Sequence, residues 1–358
     1  MHGMVNMNNI SDILSAVATS TSLREAARKA GIPHSTLSRL IKKLEQKGKF
    51  RAFFNYPKLG LVPLLIIAEW TSIPSKNKII EGTVSIREGY SLGLRALVIT
   101  ALVPFRLLDS YYLRRLNEWG LTPYVVVRGL EYLKWNPALA PVTHISRHIP
   151  SKYGINGSFF IPIYSELEKK ILTENTPPSP IEPNINVPDP YDLALLFNFW
   201  RHSPWEPKKI PKYAIKDGLK NINAKRISDH WRKHLLPYWL YNTYISYFRM
   251  LEVPLRVLIF TGRSIYGVAR ALASIPYTYF SVIDIDRVAI VMQAPCSLYI
   301  DFYKLLSTFD VSVEYDLLLA PSLVRWDPRL WRFVRKRGKR WEWCEPKLVE
   351  VKVKRRRV

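Results

Sequence analysis

The sequence predicts an α+β chain: winged-helix-type helix-turn-helix domains, each followed by a ferredoxin-like βαββαβ domain, in two tandem copies. Three observations carry this expectation. Residues 10–47 read as three short helices with a glycine at the second turn. The pattern that follows runs β-α-β-β-α-β, the order of a ferredoxin-like sandwich. The same order then returns 191 positions later with collinear identities: Val62-Pro63-Leu64 maps to Val253-Pro254-Leu255, Tyr112 to Tyr303, Trp135 to Trp326 and Pro137 to Pro328.

Taken in order, ISDILSAVATS has apolar residues at helical spacing. Ser20, Thr21 and Ser22 offer N-cap side chains before LREAARK, and that helix stops at Gly31. In HSTLSRLIKKLEQKG the apolar stripe is Leu37, Leu40, Ile41 and Leu44. FRAFFNYPKLGLVPLLIIAEW reads as a wing-like hairpin or connector and then a buried strand. Residues 76–89 read as a helix, 92–103 as strands, 105–120 as a helix and 122–133 as a strand. The second half gives a strand at 253–261, a helix at 264–276, two strands within 279–294, a helix at 297–309 and a strand at 311–320. The expected boundaries are 1–56 (helix-turn-helix), 57–140 (ferredoxin-like), 141–188 (Pro-rich linker region), 189–247 (second, divergent helix-turn-helix), 248–328 (second ferredoxin-like domain) and 329–358 (basic C-terminal tail). Six prolines from Pro177 to Pro190 make the end of the linker an extended spacer.

Lys and Arg number 53 against 29 acids in 358 residues, a net charge of +24 that concentrates polyanions around the protein. Double-stranded DNA is the expected partner. The most apolar run, Leu59 to Trp70, is too short to span a bilayer and contains Pro63, so no membrane association is expected. Two cysteines give neither a disulfide framework nor a Cys-rich metal site, and the N-terminus lacks a secretory pattern. A cytoplasmic, nucleoid location follows as an expectation.

The strongest motif is SLREAARKAGIPHSTLSRLIKKLEQKGKF: a supporting helix, a turn at Ala30-Gly31-Ile32-Pro33 and a second helix with a polar, basic free face. Its candidate DNA-binding residues are His34, Ser35, Thr36, Ser38, Arg39, Lys42, Lys43, Lys47, Lys49 and Arg51. Arg39 can donate twice to a guanine edge, whereas the lysines suit phosphates. The competing possibility is a helical hairpin with a solvated basic face. In the second unit, the helix AKRISDHWRKHLL carries Lys225, Arg226, His230, Arg232 and Lys233 as weaker candidates, with Trp231, Leu235 and Leu236 as core. The last 30 residues hold 13 Lys or Arg and three acids. Within them Arg335, Lys336, Arg337, Lys339, Arg340, Lys354, Arg355, Arg356 and Arg357 are candidates for auxiliary phosphate contacts, interleaved with Trp341 and Trp343.

His144/His148 and His230/His234 have the i,i+4 spacing that could hold Zn²⁺ on a helix. Neither is an HExxH motif, and no Cys or acidic cluster in the sequence completes a site. Solvated or phosphate-facing histidines are therefore expected, with no metal and no cofactor. Asp284 and Asp286 alternate along a strand, but turn-adjacent strand ends often carry such acids. No nucleophile motif or Gly-rich phosphate loop appears, and no enzyme is expected.

Residues 10–64 resemble the helix-turn-helix of the Lrp/AsnC (feast/famine) regulators. The resemblance lies in AARKAGIPHSTLSRLIKKLEQKGKF and in YPKLGL, which is similar to that family's hinge before the first strand. The resemblance implies a transcription regulator whose sandwich domains serve dimerisation and effector binding. Tandem copies would then pair within one chain. Self-association through the sandwiches and an unidentified small-molecule effector are the partners it implies beside DNA. Siroheme decarboxylases resemble the same combination but rely on sandwich histidines, and residues 65–135 and 251–320 contain no His. A protein-interaction subunit of a transcription or chromatin complex is the remaining alternative.

Overall fold

The computed structural model describes residues 7–46, 48–70, 79–139, 145–155, 158–182, 186–202, 205, 209–246, 250, 253–325 and 328–346. Three helices open the chain, α1 (Met7–Ala18), α2 (Leu23–Lys29) and α3 (His34–Leu44). Ser22 caps α2 by accepting from the Glu25 N–H, while Glu25 accepts from the Thr21 N–H at 3.0 Å. Ile13, Leu14, Val17, Ala26, Ala27, Leu37, Ile41 and Leu44 form their shared core.

The strand after α3, β1 (Gly48–Phe54), is not half of a wing hairpin. It pairs antiparallel with β9 (Trp239–Ser246), from Gly48↔Ser246 to Phe54↔Trp239. Lys49 and Arg51 are half-buried between buried Gly48, Phe50 and Ala52, Phe53 and Phe54 are both buried, and the strand's hydrogen-bonding partner comes from the other half of the chain. Two side chains of β9 then hold the helices. Buried Asn242 donates to the carbonyls of Val17 and Ser20 at 2.8 and 2.7 Å, and the Tyr244 hydroxyl donates to the Leu44 carbonyl at 2.8 Å. Trp135, Phe50 and Tyr244 complete the helical core, so the N-terminal domain is docked on the body.

That body is built on one nine-stranded sheet. The first half supplies β2 (Leu61–Glu69), β3 (Thr83–Ser91), β4 (Leu94–Pro104), β5 (Pro123–Arg128) and β6 (Glu131–Leu133). The second supplies β10 (Arg256–Thr261), β11 (Thr278–Ile283), β12 (Val288–Met292) and β13 (Ser312–Arg325). The order is β5-β2-β4-β3-β13-β10-β12-β11-β6. Within each half the strands stand fourth-first-third-second, which is the order that two antiparallel β-α-β crossings produce. Residues 76–89, expected as a helix, contain β3 from Thr83 onward. The alternation Val84, Ile86 and the ladder to β4 from Thr83↔Ala101 to Ser91↔Leu94 override the helical spacing there. The helix expected at 105–120 is a 3-10 turn, a π-helical turn at Leu108–Leu113 and α4 (Arg114–Glu118) in succession.

Two seams join the halves. At one, β3 pairs with β13, with register shifts around Ala320-Pro321, where proline has no N–H to donate. At the other, β11 pairs with β6. β5 and β6 are one path interrupted at Gly129, where a Cβ would stand 2.8 Å from the Pro63 carbonyl. Asp284, at the end of β11, accepts the Arg128 N–H at 2.8 Å across this seam. The sheet therefore curls until its two ends meet. Val257 and Ile259 of β10 face a core shared with the first half. Leu258 and Phe260 face the outer helices α9 (Ile265–Ala273) and α10 (Cys296–Leu306).

Residues 141–188 hold more than a linker. They contain the hairpin β7 (Ile145–Ile155) and β8 (Ser158–Pro162), then α5 (Tyr164–Thr173). Leu167 and Ile171 bury α5 in the same outer core as α9. Asn175 then pins the spacer by accepting from the Gly267 N–H and donating to the Arg263 carbonyl. The second helical unit follows as α6 (Pro190–Arg201), α7 (Lys212–Lys216) and α8 (Ala224–Asp229), the last continued by a π-helical turn at His230–Leu235.

The segment expected as a basic tail is folded through Pro346. A 3-10 turn at Leu330–Phe333 leads into the hairpin β14 (Val334–Arg337) and β15 (Arg340–Trp343). Trp331 is buried, stacked on Tyr213 at 5.6 Å and edge-on to Phe197. Its indole N–H donates to Asp217, which also receives Arg329 and Arg332. Arg332 reaches Glu81 in the first half at 2.6 Å. Trp331, at the start of this basic run, is thus packed into the core. No helix among the described residues is long and apolar enough to cross a membrane.

Candidate nucleic-acid interface

Gly31 takes φ 64° between α2 and α3, a left-handed conformation that side chains with a Cβ rarely adopt. The chain reverses there, with the Ile32 N–H donating to the Ala27 carbonyl at 3.1 Å. Pro33 precedes α3 and supplies no side-chain cap, so the first-turn N–H groups of α3 face outward. Leu37, Ile41 and Leu44 turn inward, and Leu40 is half-buried. This leaves His34, Ser35, Arg39, Lys42 and Lys43 exposed, with Thr36 and Ser38 half-buried between them. None of the seven makes a side-chain hydrogen bond or ion pair among the described residues. Lys29 of the supporting helix, in contrast, is held by Glu25 at 2.9 Å and by the Thr19 carbonyl.

The remaining first-unit candidates divide. Lys49 is half-buried on β1. Arg51 is also half-buried, and donates Nη1 to the Phe50 carbonyl at 2.8 Å. Lys47 lies outside the described residues.

In the second unit, Ile227, Trp231 and Leu235 are buried against α6, with Trp231 4.6 Å from the Phe199 ring. Lys225, Arg226, Arg232 and Lys233 are exposed on the other side. His230, expected among them, turns inward instead. Its Nδ1 lies 2.8 Å from Asp192 Oδ1 and 3.6 Å from Asp189 Oδ2. His234 Nδ1 lies 3.0 Å from Asp192 Oδ2. The hydrogen bond to Asp192 raises the His230 pKa against the opposing effect of burial, and burial together with Asp192 raises that of Asp189. The sequence signalled the histidines by their spacing. Asp189 and Asp192, which the sequence did not single out, form a capping box at the start of α6.

At the C-terminal end, Arg335, Lys336, Arg337, Lys339 and Arg340 are exposed around the tip of the β14–β15 hairpin, with Gly338 in the turn. Trp341 and Trp343 are half-buried. Lys354, Arg355, Arg356 and Arg357 lie outside the described residues. Asp284 and Asp286 sit at the turn between β11 and β12. The first accepts two backbone N–H groups and the second pairs with Arg287, so they face different partners.

Two further features were not signalled by the sequence. A cleft opens where β1, the β5–β6 break, the spacer and β9 meet, with Asn55, Lys58, Glu131, Glu182, Asn186 and Tyr238 on its walls. Beside it lies Lys134, its ammonium 5.6–5.9 Å from the rings of Trp200, Tyr132 and Phe53. Burial, with Arg51 nearby, lowers the Lys134 pKa to about 8.

Comparison with known proteins finds one family model, that of bacterial regulatory helix-turn-helix proteins of the lysR family, matching residues 12–54. These residues run from α1 to the end of β1, and they form a helix-turn-helix domain. No curated protein matches the chain. Among solved structures the chain is similar to the siroheme decarboxylase NirDL, seen in complex with an iron-uroporphyrin III analogue and in a second structure. The identity is 12% in both, with TM-scores of 0.40 and 0.38. The first alignment covers 90% of this chain and 95% of that one, the second 87% and 91%. NirDL is an enzyme, and the expectation of no enzyme is withdrawn on that finding. At 12% identity and these TM-scores the likeness says nothing of what this chain itself does.

Proposed function

We propose that the chain is a double-stranded DNA-binding protein, a transcription regulator or architectural protein, that reads DNA through α3. The observation that carries this is the outward face of α3. Its polar and basic side chains have no partner among the described residues, although Lys29 nearby is tied down. Ser35 and Thr36 at its N-terminal end suit base edges or phosphates, Arg39 suits guanine, and Lys42 and Lys43 suit phosphates. The lysR-family match over residues 12–54 supports the same conclusion.

The finer assignment is a tandem relative of the Lrp/AsnC regulators. Its support is the repeated fourth-first-third-second strand order and the matching of strand-2 edge to strand-4 edge at both seams. The β1–β9 pairing fits it too, since the two strands follow the third helix of their respective units. On this assignment the chain is its own pseudo-dimer, related by an approximate two-fold axis. The exposed cations of α8 and of the β14–β15 hairpin extend the field around α3, and the cleft beside Lys58 and Glu131 would hold an effector. Self-association of whole chains belongs to the same proposal. Titration of the full chain with labelled random duplex and with single-stranded DNA, followed by anisotropy across a salt series, tests it. Micromolar or tighter duplex binding that weakens steeply with salt is expected. A flat response to duplex at low salt would end it.

A further inference from the structure

We infer that Asp189, Asp192, His230 and His234 form a binding site for one Zn²⁺ ion, which clamps the start of α6 to the π-helical turn of the second unit. The proposal stands apart from DNA binding by α3. One ligand atom from each of the four residues can be chosen so that all lie within 4.8 Å of one another. With Asp192 Oδ1 as that residue's ligand atom, His230 and His234 lie 2.8 and 3.1 Å from it and His230 lies 3.6 Å from Asp189 Oδ2, around the roughly 3.4 Å that separates ligands in a tetrahedral site with bonds near 2.0–2.1 Å. Two imidazole nitrogens and two carboxylate oxygens are a donor set that this borderline-soft ion accepts.

The positions of these groups are set by features that do not depend on a metal. Asp189 uses Oδ1 to accept from the N–H groups of Tyr191 and Asp192, which leaves Oδ2 as the atom turned toward His230. Asp192 returns Oδ2 to the Asp189 N–H, so both carboxylates are oriented before any ion arrives. His230 and His234 lie four apart in a π-helical turn, where that spacing brings them to one side. Trp231 and Leu235, buried between and beyond them, fix the turn's orientation.

Charge supplies the reason for an occupant. The Asp192 side chain is 5% exposed and that of Asp189 19%. Among the described residues no Lys or Arg pairs with either, in a chain that carries an excess of 24 positive charges. Two neighbouring carboxylates in a half-buried site call for a compensating cation, and one dication between neutral imidazoles provides it. The i,i+4 histidines and the paired aspartates come from elements separated in sequence, which is why the sequence showed only half of the set.

The test uses the full chain, stripped with a chelator and titrated with Co²⁺ as a spectroscopic stand-in. One equivalent should give the intense visible bands of tetrahedral Co²⁺, and Zn²⁺ should displace it. Zn²⁺ should also raise the thermal midpoint of the stripped protein. His234 is exposed at the rim, so His234→Gln is expected to fold, and it should weaken metal binding on the order of 100-fold. His230→Gln and Asp192→Asn should do the same, whereas replacing His144 and His148, the other pair at this spacing, should change nothing. Absence of tetrahedral bands, or equal binding by folded His234→Gln, would leave only a hydrogen-bonded helix cap and overturn the site. Because these readouts need no DNA, they stand or fall separately from the function proposed above.

Discussion

Replacing Arg39, Lys42 and Lys43 together by Ala removes the three exposed cations of α3 without touching its buried stripe. Loss of the two lysine phosphate contacts, at about 0.9 unit each, would lower the slope of log K against log salt by about 1.8. Over a fourfold rise in salt the wild type should therefore lose about 12-fold more affinity than the variant. Stability should hold within about 0.5 kcal/mol, because none of the three has a partner among the described residues and Ala favours helix. The assay is anisotropy with a fixed random duplex at four salt concentrations, beside a denaturation curve for each protein. If the folded variant kept the wild-type slope, α3 would not be the surface that meets the phosphates. An equal slope with lower affinity at every salt would point to a loss of base contacts alone, which also contradicts the role given to Lys42 and Lys43.

Trp331→Ala should cost about 3–5 kcal/mol by opening the space between Phe197 and Tyr213, read as a lowered denaturant midpoint, whereas truncation after Pro346 should leave that midpoint in place. Asn242→Ala leaves the Val17 and Ser20 carbonyls without their buried donor, so a loss of about 1–3 kcal/mol is expected, with faster amide exchange at the end of α1 as the local readout. Lys134 has a folded pKa of about 8 against an ordinary 10.5, so between these values the unfolded chain binds more protons and stability rises with pH. Lys134→Met should remove that rise, which amounts to at most about 3 kcal/mol. Comparing the two proteins between pH 8 and about 9.5 avoids the range near the ordinary tyrosine pKa, where buried Tyr56 and Tyr112 begin to oppose it. Identical pH profiles would show that the amine is solvated.

What could be read from the sequence was what depends on neighbours in the chain. Ser22 with Glu25, Gly31 before Pro33, and the Leu37–Ile41–Leu44 stripe all act within one turn of themselves, and the helix-turn-helix followed from them. Continuous apolar runs such as VPLRVLIFT likewise announced their strands. Thr83–Ser91 was missed because the charged residues Lys76, Lys78, Arg87 and Glu88 masked the alternation of Val84 and Ile86, and because its ladders come from β4 and from distant β13. The hairpin within 145–162 was hidden by the prolines and glycines that suggested a linker. Asp189 and Asp192 were not singled out, because nothing local to His230 pointed to a carboxylate such as Asp192, 38 positions earlier. Trp331, just ahead of the basic run, packs on Phe197 and Tyr213 more than a hundred positions away, which nothing local to it announced.

The β3–β13 seam has a consequence for biogenesis. Ribosomal synthesis delivers the first four strands of the sheet long before Ser312–Arg325, at about 5–20 residues per second. For roughly 10–45 s β3 is an open edge with unpaired N–H and C=O groups, as is β1 until β9 emerges. A nascent first half is thus a sticky intermediate whose natural alternative partner is the same edge on a neighbouring nascent chain. Slow-growing polysomes should favour exchange of second halves between chains, and slower translation should raise the yield of intertwined dimers relative to monomers.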